Sequence, residues 1–158
     1  MTEITIPSNT MNDQSITTLD FSRFKWLRRI TIGDECFMYV NVVTINALPV
    51  LESVVMGRNS LTKTKNGKPT KTPNRGFYLT NCHSLVELSI NRYSLSDYAL
   101  CVIDNDDRLE VIELGELNKE SYNFRYAPYT SRSECKIGTI MNRLAQFEIS
   151  SLWYSCIQ

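Results

Sequence analysis

Residues 51–57 read LESVVMG, and the phrase recurs as LRRITIG from Leu27, LVELSIN from Leu85 and LEVIELG from Leu109. A weaker fifth copy, LAQFEIS, starts at Leu144. Each copy has Leu at its first place and apolar residues at its fourth and sixth. The triplets are Leu27/Ile30/Ile32, Leu51/Val54/Met56, Leu85/Leu88/Ile90, Leu109/Ile112/Leu114 and Leu144/Phe147/Ile149. Successive copies start 24, 34, 24 and 35 residues apart. A self-similar period of this size is the mark of a solenoid, one coil to each copy.

A second register supports that reading. Six places before each anchor Leu stand Phe21, Ile45, Leu79 and Ile103; three places before stand Phe24, Leu48, Cys82 and, breaking the pattern, Asp106. Places four and six share a parity, as a strand requires. One coil cannot stand alone. Burying an apolar side chain is worth roughly 1.5–3 kcal/mol, whereas ordering each residue costs about 1–2 kcal/mol. Stacked coils supply the difference by placing strand beside strand over a shared apolar column.

Gly33, Gly57, Asn91 and Gly115 follow the strands, where a positive φ is expected as the chain turns. Four places later Phe37, Leu61 and Leu95 read as plugs; the fourth copy has Lys119 there, leaving Tyr122 or Phe124 as its plug.

The chain has 158 residues, 42% of them hydrophobic, with 17 basic and 17 acidic side chains that cancel. That balance gives no global field toward nucleic acid or an anionic membrane. No apolar run reaches the roughly 18 residues of a membrane helix, and no basic-then-apolar leader is visible, so the expected location is cytoplasmic. Five widely spaced cysteines without a CxxC argue against a disulfide framework or a zinc site. Nothing in the sequence calls for a metal or a cofactor.

The phrases, with the intervening stretches CFMYVNVVTINALPVL from Cys36 and SLSDYALCVIDNDDRL from Ser94, resemble the leucine-rich repeat family. The nearest likeness is to its irregular type, found in protist and some bacterial surface proteins, where an L-x-x-L-x-I-G strand alternates with an S-F-x-x-F-x-I-x-x-L-P-x-L stretch. The resemblance covers about residues 15–125. It implies a fold between α/β and mostly β: a leucine-rich-repeat solenoid with a short-stranded parallel sheet on the concave face. Its convex side would hold irregular, 3₁₀ and short-strand segments. The asparagine of the ordinary family motif is met only by Asn59; the other copies have Glu35, Tyr93 and Leu117, so no asparagine ladder is expected.

Residues 1–14 read as a polar N-terminal tail and 15–158 as the repeat domain, with a basic loop at 61–76 and a second insert at about 118–138. The loop, LTKTKNGKPTKTPNRG, reads as a protruding flexible segment carrying Lys63, Lys65, Lys68, Lys71 and Arg75. In the second insert Tyr122, Phe124 and Tyr126 alternate with polar residues, as in a short strand with one aromatic face. Cys135–Ala145 is the best helix candidate, with Ile137, Ile140, Met141 and Leu144 at helical spacing.

Places two, three and five of each phrase face outward and carry the candidate binding residues Arg28, Arg29, Glu52, Glu87, Glu110 and Glu113. The face runs from basic to acidic, and Arg28 should neighbour Glu52 across adjacent strands. The one histidine, His83, lies beside Cys82, but Cys82 falls at an inward place, so no nucleophilic pair is expected. Asp104–Asp107 opens like a calcium loop, yet Leu109 and Gly115 stand where that loop needs Gly and Glu.

The leading expectation is therefore a non-enzymatic scaffold that binds a protein partner through the exposed sheet, with oligomeric state open. Two alternatives stand beside it: weak RNA, phosphate or acidic-partner binding through the lysine-rich loop, and a diverged or partial repeat protein without independent activity. Nucleic acid is the less expected partner.

Overall fold

The computed structural model describes residues 2–70, 72–116, 119 and 121–126, together with the strand backbone of 129–130 and 139–142. Within them the chain alternates between two parallel sheets. The odd strands are β1 (Glu3–Ile6), β3 (Arg29–Ile32), β5 (Ser53–Met56), β7 (Glu87–Ile90), β9 (Val111–Leu114) and β11 (Thr139–Asn142), and they form one six-stranded sheet in that order. The even strands are β2 (Thr18–Asp20), β4 (Val42–Asn46), β6 (Thr72–Thr80), β8 (Tyr98–Asp104) and β10 (Tyr129–Thr130), and they form a second, five-stranded sheet. Every pairing is parallel. This is a mostly β, parallel solenoid, with no helix among the described residues.

The repeated phrase accounts for the register. Ile30, Val54, Leu88 and Ile112 are successive partners, as are Ile32, Met56, Ile90 and Leu114. All eight are buried, beside the anchors Leu27, Leu51, Leu85 and Leu109. The second sheet answers with Val43/Phe77/Cys101 and Ile45/Leu79/Ile103. The two sets meet in one core, which is why the sequence keeps two registers.

The turn after each odd strand differs from the expectation about its glycines. Of Gly33, Gly57 and Gly115, only Gly115 has a positive φ (+78°). A Cβ on Gly33 or Gly57 would instead meet the preceding coil, at 2.6 Å from Ser8 N and 2.2 Å from Asp34 Oδ1 respectively. Left-handed backbone lies two and four places beyond, at Glu35 and Phe37, Asn59 and Leu61, Tyr93 and Leu95. Tyr122 and Phe124 repeat it.

The first of each pair sends its N–H to the next coil: Glu35 to Arg58 O, Asn59 to Arg92 O, Tyr93 to Ser121 O. The second sends its N–H to the preceding coil: Phe37 to Thr10 O, Leu61 to Cys36 O, Leu95 to Ser60 O, Phe124 to Leu95 O. These coil-to-coil bonds offset the roughly 1–2 kcal/mol that a left-handed non-glycine residue costs. Glu35, Asn59 and Tyr93, at one place of the repeat, thus serve as left-handed donors with three different side chains.

Between the two left-handed places runs a buried polar rung. Cys36 Sγ donates to Pro7 O, Ser60 Oγ to Gly33 O, Ser94 Oγ to Gly57 O and Asn123 Nδ2 to Asn91 O. Ser60 and Ser94 also accept from the amides of Cys36 and Ser60.

Several expectations are corrected. The face away from the first sheet, expected to mix irregular, 3₁₀ and short-strand segments, is a second sheet, and the α/β mix has no helix among the described residues. Glu3–Ile6, within the segment read as a polar tail, form the edge strand β1 paired with β3. Thr139–Asn142, read as part of a helix from Cys135 to Ala145, extend along β9 as a strand; the rest of that segment, and the fifth phrase from Leu144, lie outside the described residues. Tyr122, Phe124 and Tyr126 do not form a strand, because 123–126 is a turn. Phe124 is the buried plug of the fourth coil, while half-buried Tyr122 lies against Tyr93 with ring centroids 6.2 Å apart.

The loop at 61–76 is also more ordered than expected. Its last residues belong to β6, which begins at Thr72 and shifts register before Gly76. Its first half is fastened by paired bonds between Asn59 and Asn66, and by the Thr62 and Ser96 hydroxyls 2.9 Å apart.

Candidate functional site

The outer side of the first sheet is built by what the core leaves over. With Ile30 and Ile32 inward, Arg29 and Thr31 must point outward, and each coil repeats the constraint. The structure brings the predicted face together in adjacent columns. Arg29, Ser53, Glu87 and Val111 are strand partners, as are Thr31, Val55, Ser89 and Glu113. Arg28, Glu52, Val86 and Glu110 line the entry rim, where each amide donates to the residue one coil back.

Arg28 Nη1 reaches Glu52 Oε1 at 2.8 Å, the neighbour relation expected from sequence, and Arg29 reaches Glu3 at 3.3 Å. Both pairs are exposed to solvent and contribute little to stability. Val55 and Val86 are exposed on the same face. Both were visible at outward places but carried no charge to single them out.

A groove of about 510 Å³ crosses this face where the strands end. Thr31, Val55, Ser89 and Glu113 floor it, Gly33, Gly57 and Gly115 give it depth, and Asp34 and Glu116 rim it. Its lining contains carboxylates and no Lys or Arg. Lys119, 3.2 Å from Glu116, holds that carboxyl below its ordinary pKa. The places two beyond each strand, Asp34, Arg58, Arg92 and Glu116, were missed in the sequence because they fall outside the repeated phrase.

The lysine-rich loop does not gather its charges. Arg75, read as part of that basic finger, is fully buried and paired with Asp97, because β6 draws it into the fold. Lys65 lies 3.4 Å from Glu35, and Lys63 stands over the Tyr39 ring at 5.7 Å. Lys68 is exposed, and Lys71 lies outside the described residues.

Cys82 is buried, and burial, together with the nearby Asp106 charge, pushes its thiol up to about 11. His83 is exposed and bonded to Asp107 at 2.9 Å. The two side chains therefore do not form an open nucleophile–base pair. Among the described residues no group of three or more His, Cys, Asp or Glu converges as a metal site. Nor is any helix there long and apolar enough to cross a membrane. Comparison with protein-family models, with curated proteins and with solved structures found no match to this chain.

Proposed function

We propose that this chain is a non-catalytic protein-binding module of the irregular leucine-rich-repeat kind, which engages a partner on the outer face of its six-stranded sheet. The kinship rests on the phrase itself: anchor leucines buried coil after coil, a strand at places three to six, and an alternating second stretch. The binding role rests on one observation, the groove floored by Thr31, Val55, Ser89 and Glu113 and rimmed by Asp34 and Glu116.

A floor of side chains held on paired strands is preorganised, so little ordering cost accompanies binding. Its acidic lining selects an extended partner segment carrying Lys or Arg beside a small apolar residue. Lysine-rich-loop capture of RNA has less support, since Arg75 is buried and Lys65 is paired.

The test is face-specific. A partner recovered with the intact chain is challenged with Val55→Asp, Glu113→Lys and Glu110→Lys, and with Thr44→Lys on the second sheet as a control. Loss of capture with the first three and retention with the control supports the proposal. Equal capture by all four variants overturns it.

A further inference from the structure

We propose a second, adjoining site: an oxyanion-binding cleft at the turn leaving the first sheet, with Arg58 as its charged donor and phosphate as its ligand chemistry. Arg58 follows Gly57, and its amide is fixed by Asp34 Oδ1 of the preceding coil at 2.8 Å. Its guanidinium carbon lies 5.9 Å from the centre of the Tyr93 ring, and that of Arg92 lies 4.6 Å from the same ring. Two cations one coil apart on one ring repel each other unless negative charge is near.

The local carboxylates each have another partner, though Arg92 and Arg58, after Lys119, also help to hold the Glu116 pKa down. Glu35 pairs with Lys65, Glu116 pairs with Lys119, and Asp34 accepts from the Arg58 backbone. Among the described residues the Arg58 side chain has no hydrogen bond or ion pair, and its Nε is buried without an acceptor. A buried charged donor left unmet is costly, and such groups in folded proteins are normally satisfied.

The cleft beside it holds about 470 Å³ and is lined by Ser8, Asn9, Asp34, Glu35, Arg58, Asn59 and Asn66. Asn66 Oδ1 accepts from Asn59, which leaves the Asn66 amide nitrogen as a remaining donor. Ser8 Oγ accepts from the Asp34 amide and keeps its own hydrogen to give. A planar guanidinium near an aromatic ring, with amide and hydroxyl donors beside the Asp34 and Glu35 carboxylates in the same lining, offers several hydrogen bonds to the acceptor oxygens of a phosphate. Phosphate free in solution and phosphate on a serine side chain present the same chemistry.

The experiment titrates the intact chain with inorganic phosphate, and separately with a phosphoserine peptide and its unphosphorylated twin, at constant ionic strength while backbone amide resonances are followed. Saturable shifts at Ser8, Asn9, Arg58, Asn59 and Asn66 are expected. Arg58→Gln should weaken binding about ten- to a hundredfold, the worth of one charge-assisted hydrogen bond, while Lys68→Gln leaves it unchanged. Response to inorganic phosphate identifies the free anion as sufficient; response to the phosphopeptide alone assigns the site to a modified side chain. The proposal is overturned if neither ligand saturates, or if Arg58→Gln binds as the wild type does with its resonances otherwise preserved.

Discussion

Arg75 Nη1 lies 3.1 Å and 3.2 Å from the two carboxylate oxygens of Asp97, and both side chains are withdrawn from solvent, 0% and 2% exposed. The other guanidinium edges are used too. Nη2 donates to Met38 O at 2.6 Å and Nε to Asn41 Oδ1 at 3.2 Å, with the Tyr98 ring centre 5.5 Å from Cζ. Asp97 Oδ2 also accepts from the Lys63 amide, so the pair ties the long loop to β6 and β8. Removing one partner strands the other as an unpaired buried charge. Arg75→Ala or Asp97→Ala should cost about 3–5 kcal/mol in urea unfolding, and the apolar double replacement Arg75→Met/Asp97→Leu should cost less than either single change. Single-variant losses below about 1 kcal/mol would show that water reaches the pair.

Asp106 stands where the other coils place half-buried Phe24 and buried Leu48 and Cys82. Its Oδ1 accepts from the Cys82 amide at 2.9 Å, while its Oδ2 is buried without a partner. Burial first, then the charges of Asp104 and Asp107, push its pKa to about 8 from 3.8. A folded-state pKa above the unfolded one means that the proton is bound more tightly in the native chain. The stabilisation is complete below the unfolded value and is lost as pH rises through about 8.

Asp106→Asn removes this titration while keeping an oxygen for the Cys82 amide. Relative to wild type, the variant should be more stable at pH 8.5 than at pH 5 by about 2 kcal/mol or more. Asp13, Asp20 and Glu116 have lowered pKa values, so their contribution is lost at the acid end, as pH falls through those values, and cancels between the two proteins. Chemical denaturation at the two pH values decides. A pH-independent difference would place the Asp106 carboxylate in contact with water.

The solenoid was legible because burial repeats: a strand that must hide alternate residues writes Leu88 and Ile90 wherever Val54 and Met56 have a neighbour. The same constraint placed Arg28 beside Glu52. What the sequence concealed depends on partners distant along the chain. Arg75 reads like any loop arginine until the turn before β8 presents Asp97 across the coil, and Gly57 reads like a turn glycine until Asp34 closes on it. The left-handed residues were hidden for another reason. Glu35, Phe37, Leu61 and Leu95 adopt positive φ without the Gly or Asn that usually signals it, held there by backbone bonds to adjacent coils. The strand at Thr139–Asn142 was missed because its residues also fit a helical spacing, and short apolar segments do not separate the two periods.

Gly57 and Gly67 separate close approach from backbone freedom. Neither has a positive φ, yet a Cβ on Gly57 would meet Asp34 Oδ1 at 2.2 Å and Asp34 N at 2.8 Å, whereas on Gly67 the nearest atom is 3.8 Å away. Gly57→Ala must push apart two coils and should destabilise by about 1–3 kcal/mol. Gly67→Ala narrows the unfolded ensemble without a clash and should be neutral or stabilising by up to about 1 kcal/mol. Thermal melts of the two variants beside wild type measure the contrast. Equal effects would mean that the coils are not in contact at Gly57.

Ser60 joins three coils through its hydroxyl and its amide. Its Oγ donates to Gly33 O at 2.6 Å and accepts from Cys36 N at 3.1 Å, while its own amide donates to Ser94 Oγ at 2.9 Å. Ser60→Ala strands one part-buried carbonyl and one buried amide, so a loss of about 1–3 kcal/mol is expected, with hydrogen exchange quickening at Cys36. Cys36 fills the equivalent place one coil earlier and donates through sulfur to Pro7 O at 3.1 Å. Ser60→Cys should therefore recover part of the loss, because a thiol still points a donor at the Gly33 carbonyl, though more weakly than a hydroxyl. If Ser60→Cys proves as damaging as Ser60→Ala in denaturant titrations, the rung depends on the small size of the hydroxyl rather than on its hydrogen bonds.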